Sequence, residues 1–294
     1  MPQLLLASKH LPSDDAFSLA VITCDPQTDT PLHTHDFCEL VLVTRGYARH
    51  VTEEETYPIQ AGDVFVVLGD RVHGYEQTTQ LGLINLLFRP DFLTQLSLDV
   101  RQMPGFHVLL TLEPDYRQRH RFASRLHLPP PELQRLREWV NYLTTELRDR
   151  RPGYRFASMA WFMVLIGYLC RSYEERRPPA AQQLFRIGRA LGYLEQHCAE
   201  PLSVPALAEI AHMSVSSLYR AFRETVGMAP LEYQQQLRLS RACHLLRNSD
   251  LPIGEIGLRV GFSDPNYFSR QFRQWLGITP RGYRRGTPPT TPPR

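Results

Sequence analysis

The last third of the chain carries one motif twice, fifty residues apart. At that offset Arg220 matches Arg270, Phe222 matches Phe272 and Arg223 matches Arg273. Gly227, Pro230 and Tyr233 likewise match Gly277, Pro280 and Tyr283, and Leu218 pairs with Phe268 as a second apolar residue. A repeat at this period marks two copies of one supersecondary unit. Each copy reads helix, short turn, helix, with arginines on the outer face of the second helix. That describes a tandem helix-turn-helix reader of double-stranded DNA.

The residue chemistry within each copy agrees. In the first, a short helix near 204–211 turns at His212-Met213, Ser214 caps the next helix and Gly227 ends it. Leu218, Ala221 and Phe222 face a core, while Ser216, Tyr219, Arg220 and Arg223 fall at helical spacing on one outward stripe. In the second, Gly261 stops a short helix at about 253–260. Ser263 or Asp264 caps the recognition helix and Pro265 suits its first turn. Phe268, Phe272 and Leu276 face in; Asn266, Arg270 and Arg273 share the outer stripe. The major groove admits one helix, where Arg can grip guanine and Asn adenine through two bonds each. Two such helices on one rigid domain enter successive grooves roughly 34 Å apart. Packing through Leu237, Ala242, Leu245 and Leu246 sets that separation.

Charge follows the same division. From Ala180 onward there are 14 Arg against 8 acidic residues, a formal +6, while residues 1–179 carry a formal −3. The basic half suits a polyanion and the acidic half does not. Lys9 is the only lysine, so nearly every cation is a guanidinium, which forks onto phosphate and guanine. Five scattered cysteines show no metal or redox spacing and imply reduced thiols in a cytoplasmic protein. No signal-peptide pattern opens the chain. The longest apolar stretch, Met159 to Cys170, is too short for a bilayer, so no membrane partner is expected.

The front of the chain reads differently. Residues 17–90 predict short strands bounded by turn signals at Arg45-Gly46 and Ala61-Gly62-Asp63, which suggests a small β-barrel or sandwich. Pro129-Pro130-Pro131 precedes an amphipathic helix, about 132–148, with Leu133, Leu136, Val140, Leu143 and Leu147 on one stripe. A second helix, about 155–173, is apolar nearly all round and must be covered on every side, by the barrel, its neighbour helix and a second subunit. A charged, proline-rich linker follows over 174–182. The tail, residues 287–294, has nothing to bury and is expected to be disordered. The fold class is α+β, with a β-barrel and dimerisation helices over residues 1–178 and an all-α tandem helix-turn-helix domain over 179–286.

Alternation along the strand at 32–46 puts His33, His35, Phe37 and Glu39 on one face. Inward-facing His and Glu are costly unless paired, so they line a polar pocket or hold a metal. Arg45, Tyr47, Arg49, Tyr57, Phe65 and Tyr75 lie nearby as further candidates for a hydroxylated ligand.

Two resemblances sharpen this reading. The run from Leu202 to Tyr283, including GFSDPNYFSRQFRQWLGITPRGYR, looks like the DNA-binding domain of AraC/XylS transcription regulators. That resemblance implies base contacts at Ser216, Tyr219 and Arg220, and at Asp264, Asn266 and Arg270. Arg223 and Arg273 are candidate phosphate contacts. The spacing His-x-His-x3-Glu-x6-Gly resembles the first cupin motif, and a weaker second motif runs from Gly62 to His73. The cupin-like resemblance implies a set of His33, His35, Glu39 and His73, suited to a divalent transition metal. HTHDFCELVLV and the overall layout are most similar to the L-rhamnose-responsive activators of the AraC/XylS family. The resemblance implies a homodimer that is not an enzyme, a sugar effector at His33, His35, Glu39, Arg45, Tyr47, His73 and Tyr75, and RNA polymerase as partner. Two alternatives stay open: a cupin metalloenzyme fused to a DNA-binding domain, and an architectural DNA-binding protein with a degenerate sensor.

Overall fold

The computed structural model describes residues 4–6, 17–95, 98–117 and 122–286. The expected disordered tail lies outside them. The chain divides into two compact units, Met1–Gly188 and Arg189–Arg294.

The first unit is built on one sheet: β1 (Leu4–Leu6), β2 (Leu19–Cys24), β3 (Thr30–His35), β4 (Cys38–Thr52), β5 (Thr56–Gln60), β6 (Asp63–Val67), β7 (His73–Phe88) and β8 (Leu126–His127). The long antiparallel pair β4 and β7 forms its spine. Of the barrel or sandwich expected from the sequence, what forms is one sheet that does not close. Pairing runs along an open path, β1-β3-β7-β4-β6-β8, with β2 also on β7 and β5 on β4. The last strand, β8, is only two residues long and pairs with β6. The chain leaves it toward three prolines, which have no N–H to extend a ladder.

Register shifts interrupt the β4–β7 ladder between Val43 and Arg49. Gly46 sits there at φ +68°, and a Cβ on it would collide with the carbonyl oxygens of Thr79 and Gln80. Only glycine takes that conformation without strain at such close backbone approach. The inner face carries Val41, Val43, Ala48, Tyr57, Ile59, Phe65, Val67, Tyr75, Leu81 and Leu83, closed by Phe122.

Helices α1 (Leu98–Gln102), α2 (Pro104–His107), α3 (Glu113–Arg117) and α4 (Pro130–Asp149) accompany this sheet, α3 packing on β6 and α4 on β2. Between α2 and α3 the turn Val108–Leu112 is π-helical. Next comes α5 (Tyr154–Arg176), whose Phe162 packs on Phe88 and Phe92. α5 is long and apolar enough to cross a membrane by length and composition. In this fold it buries one face, Phe162, Leu165, Ile166, Leu169, Cys170 and Tyr173, against its own unit. Among the described residues nothing covers its other face, where Phe156 is 79% exposed and Val164 43%. The segment expected as a linker is mostly helical. α5 runs to Arg176, and after one short turn α6 (Gln182–His197) begins and carries the chain into the second unit.

The second unit is all helical: α7 (Val204–Ile210), α8 (Val215–Thr225), α9 (Pro230–Asn248), α10 (Ile253–Arg259), α11 (Pro265–Leu276) and α12 (Pro280–Arg284). The caps follow the sequence. Ser214 accepts from Ser217 N, and Asp264 accepts from Asn266 N at 2.9 Å. Gly277 ends α11 in the left-handed region, its N–H bonded to Arg273 O. Phe268, Phe272 and Leu276 pack with Leu239, Ala242, Leu246, Ile256 and Tyr283.

Candidate functional site

The second unit presents two helices with the same division of faces. On α8, Leu218, Ala221 and Phe222 are buried while Ser216, Arg220 and Arg223 are exposed and Tyr219 is half-buried. On α11, Phe268 and Phe272 are buried while Asp264, Asn266, Arg270 and Arg273 are exposed. None of these four arginines takes part in an ion pair among the described residues; the arginines of this unit that do are Arg241 and Arg259. Arg270 instead lies over the Tyr267 ring at 5.4 Å, which holds its guanidinium outward. Asp264 spends one carboxylate oxygen on the cap, and Ser216 Oγ is 3.1 Å from Ser214 Oγ.

α9 is the strut between the copies. Gln235 donates to Gln271 of α11, and Arg238 donates to the carbonyls of Cys198 and Glu200. Arg241 donates to the carbonyl of Glu195. These arginines are structural and differ from the outward ones by having carbonyl acceptors.

In the first unit the sheet register assembles a polar interior. β3–β7 pairing sets His33 opposite His73. β4–β7 pairing sets His50 opposite Tyr75, and β4–β5 pairing sets it opposite Tyr57. His35 Nε2 lies 3.6 Å and His73 Nε2 3.7 Å from the Glu39 carboxylate. All of these side chains are buried. Burial, with the neighbouring charge of His73, holds His33 below its ordinary pKa. Burial also lowers His35, against the opposing pull of Glu39. Burial would raise Glu39, but the His73 ring and then the charges of His35 and His33 outweigh it and hold the carboxyl below its usual range. His50 is driven well below an ordinary imidazole by burial and by the charges of His73 and Arg117.

Sequence reasoning placed Arg45 and Tyr47 in this pocket, and the structure corrects both. Arg45 is exposed and paired with Asp25, and Tyr47 is 57% exposed. Arg49 is exposed as well. The register shifts around Gly46 change which alternate residues face inward, so Ala48 and His50 turn in instead. Two residues were missed. His50 could have been found by reading Arg45-Gly46 as a bulge. Arg117 had no local signal, since an i,i+4 Glu-Arg pair normally marks a solvated helix face. In the fold Arg117 is 3% exposed, donates to Val66 O, lies 3.3 Å from Glu113 and stands over the rings of Phe65 and Phe122.

A metal fits part of this donor set. His35, Glu39 and His73 offer ligand atoms within 4.8 Å of one another, all buried. His33 is not among them. His50, Thr52, Tyr57, His73 and Arg117 line a small adjoining cavity.

A buried polar cluster with a small cavity beside it, joined in one chain to a duplicated helix-turn-helix module, marks a DNA-binding transcription regulator. Family comparison places it further. Residues 18–129 match the AraC-like ligand binding domain and residues 207–286 match a helix-turn-helix domain. The HTH-type transcriptional activator RhaS of Escherichia coli O1:K1 / APEC is 33% identical over 277 residues, 94% of this chain and 94% of that protein. A transcriptional regulator structure from Chromobacterium violaceum, with an AraC-type DNA-binding domain, is 34% identical. It covers 36% of this chain and 94% of its own, with a TM-score of 0.34. The chain belongs to the AraC family of transcription regulators.

Proposed function

We propose that this regulator activates a carbohydrate catabolic operon and that its effector is a small sugar of the L-rhamnose type. The observation that carries the reading is a set of buried polar atoms without partners in the first unit. Among the described residues, His50 Nδ1 and Nε2, the Tyr57 and Tyr75 hydroxyls and Arg117 Nε all lack a hydrogen-bond partner. Interiors seldom leave so many polar groups unsatisfied, because each costs about 1–3 kcal/mol. A polyhydroxylated neutral molecule supplies donors and acceptors together, and the aromatic walls suit its apolar face. The likeness to an activator named RhaS supports rhamnose as the first sugar to try.

In this reading each protomer reads a half-site through Ser216, Tyr219 and Arg220 of α8 and Asp264, Asn266 and Arg270 of α11, with Arg223 and Arg273 on phosphates. The protomers pair through α4 and α5, where Tyr142 stacks on Trp161 at 4.8 Å beside the exposed Phe156 and Val164. An exposed apolar and aromatic surface of that kind is typical of an interface. As an activator it contacts RNA polymerase. The sugar changes output by binding one state better than another.

The test is thermal unfolding of the full chain with L-rhamnose and other hexoses and deoxyhexoses. A bound sugar raises the midpoint by mass action. Arg117→Gln and Tyr57→Phe should shrink that rise. If no sugar shifts the midpoint or alters operator-dependent transcription, the carbohydrate reading fails.

A further inference from the structure

α9 divides its side chains between the two copies of the repeat. Gln234, Arg238 and Arg241 recur at helical spacing, and all three donate to backbone carbonyls of the segment ahead of α7. Gln234 Nε2 reaches Glu200 O at 2.8 Å, and Arg238 reaches Cys198 O at 2.6 Å and Glu200 O at 2.8 Å. Arg241 donates to Glu195 O. Beside them, the Tyr233 ring meets Phe222 of α8 edge-on. On a second stripe, Leu239, Ala242 and Leu246 are buried with Phe268 and Phe272 of α11. One stripe ties the strut to the first copy and the other ties it to the second.

Gln235 breaks the apolar pattern. It lies four residues before Leu239, so the second stripe runs Gln235, Leu239, Ala242, Leu246. Where a further leucine would lengthen the core, the chain carries an amide, and Gln235 Nε2 donates to Gln271 Oε1 of α11. A groove of about 590 Å³ lies beside the pair, with Met228, Gln236, Gln274 and Trp275 among its walls. The amide pair therefore spans an opening and does not fill a core. Its contribution is direction. Apolar contact is non-directional, and alone it leaves α11 free to rock about α9. A hydrogen bond weakens steeply with angle and length. The bond at Gln235 fixes α11 at a second point, one turn further along the strut. Gln271 directly follows Arg270 of the outward stripe, so this anchor governs where that stripe points.

We propose that the Gln235–Gln271 bridge sets the angle between the two recognition helices, and so the spacing of the two base segments that the protein accepts. Gln235 and Gln271 are positioning residues that act through Arg270 and its neighbours. The inference rests on the reading that both copies enter the duplex, and it is independent of any effector.

The experiment uses the full chain and a duplex selected on it from a random pool. The two contacted segments are those where Arg220→Ala and Arg270→Ala relax base preference. Base pairs are then added or removed between them. One pair shifts the second segment by about 3.4 Å and turns it by about 35°. Wild type should lose at least tenfold in affinity for a one-pair change in either direction. Gln235→Leu and Gln271→Leu should bind the selected spacing within about threefold of wild type, and should lose no more than about threefold for the same change. The double variant should match the singles, because either one removes the whole bond. Gln271→Glu keeps an oxygen to accept from Gln235. Its added charge lowers affinity at every spacing alike, while its spacing preference should stay that of wild type. A wild type indifferent to spacing denies the tandem reading and the bridge with it. If wild type discriminates, the bridge alone is overturned by leucine variants that discriminate equally, that lose affinity by one factor at every spacing, or that bind no duplex at all.

Discussion

The two units leave polar groups without partners for opposite reasons. In the second, Arg220, Arg223, Arg270 and Arg273 stand exposed, where water serves them until a polyanion replaces it. In the first, His50, Tyr57, Tyr75 and Arg117 are buried, where nothing among the described residues serves all their atoms. An exposed unpaired cation costs almost nothing and is free to act. A buried unpaired donor costs free energy in every molecule until something bonds to it. The DNA reader is therefore a finished surface, and the sensor is a folded unit completed by what it binds.

This contrast can be broken at the cores. Phe268 is fully buried among the residues that lock α11 to α9 and α10. Phe268→Ala should cost about 3–5 kcal/mol and abolish operator binding. Calorimetry should show the loss in the transition of the second unit, while the transition of the first stays where it was. A single transition that moves as one would deny the units their independence.

The next effect is a pH dependence belonging to the first unit. His107 is buried, its Nε2 sits 2.8 Å from the Arg101 carbonyl, and burial pushes its pKa down to about 4. The folded ring stays neutral where the unfolded one, near 6.5, takes a proton. Stability from this group is complete above about pH 6.5 and falls as the pH drops toward 4. The loss is on the order of 3 kcal/mol. Urea unfolding of wild type and His107→Gln at pH 7 and pH 4.5 should show a smaller acid loss in the variant. Identical losses would remove His107 from the account.

The same contrast explains what the sequence could disclose. The second unit was legible almost residue by residue, because caps, end glycines and the inward Phe268 and Phe272 are local signals at helical spacing. The first was legible in outline only. Period-two alternation found His33, His35 and Glu39 as inward residues, although the single strand it assumed is two, β3 ending at His35 and β4 starting at Cys38 after a bend, and both pair with β7. Arg45, Tyr47 and Arg49, chosen for their chemistry and their nearness in sequence, are each exposed. One irregularity in the ladder reverses every later choice, and no local composition announces it. Arg117 depends on a distant sheet for its burial, and barrel closure depends on whether the last strand is long enough to pair twice. Neither is a property of a short window.

The central claim, that both copies of the repeat touch the duplex, is tested most directly by operator affinity against salt for Arg220→Ala, Arg270→Ala and the double variant. Each single change should cost about 1–3 kcal/mol and relax preference at one base, at positions roughly one helical turn apart. The double variant should lose nearly the sum of the two, as for independent sites. An Arg220→Ala protein with wild-type affinity and wild-type base preference would mean that only one copy reads DNA, and the tandem account would be contradicted.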